Sequence, residues 1–90
     1  MRYAARVDAN QAQIVQALRD AGAYVWVLGL PVDILVGYKG KTILVEIKDG
    51  PKKRLTALQR DFFESWTGDA LCRVDGVEAA LRILRTIDES

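Results

Sequence analysis

Ninety residues allow one domain, spanning 1–90, and not two; half of the chain is hydrophobic, enough for a core, yet so small a domain is marginal alone, which favours a dimer. One cysteine and no histidine exclude a disulfide framework and histidine-based catalysis, and leave nothing for a cysteine- or histidine-rich zinc site. The net charge of +1 does not announce a nucleic-acid binder, no apolar run reaches the roughly 18 residues of a membrane span and no signal peptide is visible, so the expected compartment is a reduced cytoplasm.

Asp8 to Gly22 is predicted to be a helix, with Ile14, Ala17, Leu18 and Ala21 on one stripe, Asp8 as N-cap and Gly22 as stop. Tyr24 to Leu28 is a β-prone run. Val32 to Tyr38 and Thr42 to Lys48 read as a pair of strands, and Asp49-Gly50-Pro51 ends the second. Thr56 to Trp66 is a second helix with Leu55, Leu58, Phe62 and Trp66 along one stripe. Ala70 to Val74 is a short strand, and Asp75 to about Ile87 a last helix. The expected fold class is α/β, a small mixed β-sheet flanked by helices in the order α-β-β-β-α-β-α. Trp26 and Trp66 read as core or dimer contacts, and Cys72 as a buried small hydrophobe.

The strand pair contains a puzzle. Asp33, Glu46 and Lys48 occupy positions where a core-building sequence would place Val or Ile. Strand side chains alternate faces, so Ile43, Val45 and Ile47 share one face, and Thr42, Leu44, Glu46 and Lys48 the other. A two-residue Lys39-Gly40 loop pairs Tyr38 with Lys41 and Leu35 with Leu44, and sets Asp33 opposite Glu46. A three-residue loop would put the apolar sets on opposing faces. Facing carboxylates have Cβ atoms roughly 4.5–5.5 Å apart and repel each other. Lys48 offers one counter-charge. A divalent cation offers two, and paired carboxylates suit Mg²⁺. The alternative is an exposed face with Lys48 as an ordinary cross-strand partner, which leaves Leu35 and Leu44 without cover.

Charge is also unevenly placed. Lys39, Lys41, Lys48, Lys52, Lys53, Arg54 and Arg60 crowd one segment. Such a zone suits a phosphate-tracking surface and equally suits a solvated loop.

Asp33, followed after a hairpin by Glu46-Ile47-Lys48, resembles the PD-(D/E)xK nuclease superfamily. With the phrases DILVGY, LVEIKDG and LTALQRDFFESW, the chain is similar over nearly its whole length to a minimal, phage-type virus-type replication-repair nuclease (VRR-NUC) domain. The resemblance implies a restriction-endonuclease-like core and Mg²⁺- or Mn²⁺-dependent hydrolysis of DNA phosphodiester bonds in a phage or prophage setting. Asp33, Glu46 and the backbone carbonyl of Ile47 would hold the metal. Lys48 would orient the attacking water, and Gln59 would stand near the site. Lys52, Lys53 and Arg54 would meet the DNA backbone. Relatives of this minimal type look like homodimers that cut branched DNA such as four-way junctions.

The chain departs from the family pattern in two places. Val32 separates Pro31 from Asp33. The first helix offers Gln11 and Gln13 where many relatives carry a metal-supporting glutamate, and Gln11 lies on the sheet-facing side. Gln59 and Gln11 also fit capping boxes, Thr56-Ala-Leu-Gln59 and Asp8-Ala-Asn-Gln11, and Asp75-Gly-Val-Glu78 has the same spacing. Capping and site roles stand side by side for both glutamines.

Overall fold

The structure, a computed structural model, describes residues 9–50 and 53–90. Asp8, expected to cap the first helix, and Lys52, expected at the DNA backbone, lie outside the described residues. Helix α1 (Ala9–Asp20) is followed by strands β1 (Tyr24–Val27), β2 (Ile34–Tyr38) and β3 (Lys41–Ile47). Helix α2 (Ala57–Ser65), strand β4 (Ala70–Val74) and helix α3 (Val77–Asp88) complete the α-β-β-β-α-β-α order. The strands form one mixed sheet in the order β1-β2-β3-β4. β1, β2 and β3 pair antiparallel, and β4 joins β3 in parallel after the crossover through α2.

The hairpin register follows from its turn. Tyr38 pairs with Lys41, so Lys39 and Gly40 form the whole loop. Both have positive φ, 50° and 83°, as a tight turn matched to the right-handed strand twist requires. Leu35 then pairs with Leu44 and Ile34 with Val45, in the predicted register.

Alternation divides the sheet into two unlike faces. Val25, Ile34, Val36, Ile43, Val45, Ile47 and Val74 are buried on one of them. Against them pack Ile14, Val15 and Leu18 of α1, and Ala80 and Leu84 of α3. α1 ends at Gly22, whose φ of 101° permits the closing pair of bonds from Gly22 N to Arg19 O and Ala23 N to Leu18 O. At the far end, Asp88 of α3 accepts from the Tyr38 hydroxyl at 2.9 Å and pairs with Lys39, which ties the last helix to the hairpin turn.

The other face carries half-buried Leu35, Leu44 and Leu71, with Glu46 and Arg73 further along. α2 is nine residues long and contains no fully buried residue. Its expected apolar stripe is only partly used. Phe62 is half-buried and stacks on Trp66 with ring centroids 5.4 Å apart, whereas Leu58 is 82 % exposed. Trp26, on edge strand β1, is 57 % exposed and so lies outside the core. Cys72 packs against the core, and burial pushes its thiol up. The Asp75–Glu78 box does not form, because Gly76 occupies the N-cap of α3 and brings no side chain. Among the described residues, no helix is long and apolar enough to cross a membrane.

Ile34, the first residue of the inner strand β2, is fully buried. Ile34→Ala is expected to cost about 2–5 kcal/mol, read as a lower midpoint in urea unfolding with an unchanged slope.

Candidate metal centre

Asp33 stands one residue before β2 begins, and not inside the strand as alternation suggested. Its carboxylate explains why the strand starts late. Oδ2 accepts the backbone N–H of Ile47 at 2.8 Å, in the place where a ladder carbonyl would otherwise act. Its own carbonyl accepts from Leu28 N at 2.8 Å and Gly29 N at 3.2 Å. Asp33 is thus held by β3 on one side and by the residues just after β1 on the other. The paired register ends at Ile34–Val45, one step short of Asp33 and Glu46, yet the Asp33 charge still acts on the Glu46 carboxyl.

Glu46 is 3 % exposed on β3. Its Oε2 accepts from the Gln59 side-chain nitrogen at 2.7 Å and lies 3.5 Å from Lys48 Nζ. Its Oε1 is buried and has no hydrogen-bond partner among the described residues. Burial lifts the carboxyl above the usual glutamate range, and the Asp33 charge lifts it further. Lys48 and the Gln59 amide pull the other way without cancelling the rise. Lys48 and Gln59 thus leave the carboxyl only partly compensated, and among the described residues its second oxygen accepts no hydrogen bond.

Gln59 caps α2 and also reaches Glu46. Its backbone N–H donates to Thr56 Oγ1 at 3.1 Å, and its Oε1 accepts from Thr56 N at 3.0 Å. That completes the capping box. With the amide oxygen occupied, the amide nitrogen is the end left to reach Glu46. The cap thereby sets which way the side chain faces.

The other expected residues fall into place unevenly. Lys48 stays beside β4, its N–H donating to Val74 O at 2.9 Å. Gln11 is buried on α1, on the stripe of Ile14, Val15 and Leu18, whereas Gln13 faces solvent. Lys53 and Arg54 are exposed beyond the end of β3. A groove of about 570 Å³ adjoins Gln59 and is lined also by Leu30, Pro31, Thr56, Leu58 and Phe62.

Arg73 was not singled out from the sequence. The parallel register sets it next to Glu46. Its charge is nevertheless turned toward main-chain carbonyls of Gly50 and Lys53. The only sequence signal was a charged residue inside the short run ALCRV, and that says nothing of its neighbour across the sheet.

Among the described residues, no three Asp, Glu, His or Cys side chains gather to hold a metal. A cation here would rely on Asp33, Glu46, main-chain oxygen and water, a donor set suited to Mg²⁺ or Mn²⁺. The orphaned Glu46 oxygen fits such a ligand. No protein-family model, curated protein or solved structure matches the chain.

The raised Glu46 carboxyl has a consequence for stability. The folded chain holds this proton to higher pH than the unfolded chain does. Metal-free stability therefore falls as pH rises from the ordinary glutamate range through the raised value. Glu46→Gln is expected to remove that fall and to melt higher than wild type at neutral pH in chelator, by roughly 4–8 °C for each kcal/mol gained. Melting curves across the pH range check this; a variant that melts lower than wild type at neutral pH would overturn it.

Proposed function

We propose that this chain is a metal-dependent endonuclease of the PD-(D/E)xK type, similar to minimal VRR-NUC domains, acting on DNA. The observation that carries the reading is the buried Glu46 carboxylate, under the charge of Asp33 and with one oxygen that has no hydrogen-bond partner among the described residues. Asp33, Glu46 and the carbonyl of Ile47 would hold Mg²⁺ or Mn²⁺. The ion, when bound, supplies a nucleophilic hydroxide near neutral pH and a clamp on developing negative charge.

The chain's own groups do the rest. Gln59 holds Glu46 Oε2 in place and leaves Oε1 for the cation. Lys48 Nζ, 3.5 Å from Glu46, stands where it can orient a water and place a point charge on a phosphoryl oxygen. Lys52, Lys53 and Arg54 would neutralise phosphates on either side of the cut. No histidine is needed, and none is present.

Branched DNA and a homodimer belong to the same proposal. Two sites about a two-fold axis suit paired nicks in a four-way junction. The exposed aromatics of edge strand β1, Tyr24 and Trp26, offer apolar surface for a second copy. The resemblance points to a phage or prophage enzyme working in a bacterial cytoplasm.

A second reading is a nuclease-like DNA-binding module with weak or lost catalysis. The observation in its favour is Gln11, a buried neutral amide on the helix where relatives carry a glutamate. An amide binds a cation more weakly than a carboxylate does.

Cleavage of linear, flapped and four-way DNA with Mg²⁺, Mn²⁺ or Ca²⁺, by wild type and Lys48→Ala, separates the two. The enzyme cuts with Mg²⁺ or Mn²⁺, and the variant loses about 10²-fold or more in rate. Mn²⁺ is expected to outperform Mg²⁺ because the helix carboxylate is missing. Tight binding without cutting in any metal would favour the binding module, and neither binding nor cutting would end both readings.

A further inference from the structure

Arg73 is a strongly basic group that the sheet places beside Glu46 and that the proposed reaction does not use. It neighbours Glu46 in the parallel register and therefore projects from the same face. An arginine so placed is the natural clasp for two acids. Here the ion-pair partner of Glu46 is Lys48 instead. One guanidinium nitrogen of Arg73 donates to the carbonyl of Gly50 at 3.3 Å and also to the carbonyl of Lys53. Lys53 N in turn donates to Gly50 O at 3.3 Å. Arg73 thus ties the main chain at Gly50 and at Lys53 to β4. It is not engaged by the acids, and the backbone of Lys53 is anchored.

We propose that Arg73 is a positioning residue for nucleic acid: by stapling Gly50 and Lys53 to β4, it presents Lys53 and Arg54 to the phosphates flanking the carboxylate site. The inference rests on the nuclease reading above. Its physical basis is preorganisation. A basic segment already fixed on a rigid strand loses less freedom when DNA binds. Arginine suits the task because it is always charged, and its planar fork reaches carbonyls that a shorter or neutral side chain does not bridge.

The test uses the full chain with Arg73→Ala and Arg73→Lys. Three quantities are measured: amide exchange at Lys53, binding of four-way DNA in Ca²⁺, and Mn²⁺ affinity by calorimetry without DNA. In Arg73→Ala, the Lys53 amide is expected to exchange faster and DNA binding to weaken about tenfold, with Mn²⁺ affinity unchanged. Arg73→Lys keeps the charge. If it restores full DNA binding while Lys53 still exchanges fast, charge alone is responsible and the staple is refuted. Unchanged Lys53 exchange in Arg73→Ala refutes it too, as does a loss of Mn²⁺ affinity matching the loss of DNA binding. A wild type that binds no DNA overturns the nuclease reading instead, whereas a wild type that binds and an alanine variant that binds equally well overturn only this inference.

Discussion

A carboxylate held almost out of water beside a second carboxylate is the constraint on which this structure turns. Such a pair is unfavourable unless positive charge or a proton reaches it, and Lys48 supplies only part of what is needed. The neighbouring polar groups are arranged around this deficit. The Gln59 nitrogen faces Glu46 because its oxygen is engaged by the helix cap. Asp33 spends one oxygen on the Ile47 N–H. Arg73, which could have neutralised the pair, is spent on carbonyls. A sheet built only for stability would have placed aliphatic side chains at 33 and 46, since packed apolar groups are often at least as stable as buried ions.

That bargain is possible because the two sheet faces have separate duties. The face toward α1 and α3 is mostly aliphatic, with Tyr38 and Cys72 at its margin, and it holds the fold. The face toward α2 carries the charges. A strand joins both, because residues one apart point to opposite sides. Val45 and Ile47 therefore fix Glu46 from beneath without touching its chemistry. The short Lys39-Gly40 turn locks β2 against β3 down to the Ile34–Val45 pair, so the nearness of Asp33 to Glu46 follows from hydrophobic register and not from any attraction between them.

What could be read from the chain follows the range of the interactions involved. The hairpin register was legible because turn length and period-two alternation are local. So was the Thr56–Gln59 box, whose partners are three residues apart. The position of Asp33 just outside β2 was not, because a side chain had replaced a main-chain acceptor, and alternation cannot reveal that. The exposure of Leu58 escaped for a different reason. Helical spacing says which residues share a face, and not whether anything covers it. Arg73 required the register of β4, which depends on a crossover through α2 and on no local pattern.

The helix with no fully buried residue is also the one that reaches Glu46. α2 is nine residues long, too short to be stable by itself, and it buries no side chain completely. It is fixed at its start by the Thr56 cap and to the sheet by the Gln59–Glu46 bond. The same amide that completes the cap orients the acid, so the docking of α2 and the geometry of Glu46 form one equilibrium. An element with so little buried apolar surface opens more readily than the strands beneath it. A cation at Glu46 would fix the carboxylate, and through it the Gln59 amide and the start of α2. Occupancy of such a site and order in this helix would thereby be linked through the 2.7 Å Gln59–Glu46 bond.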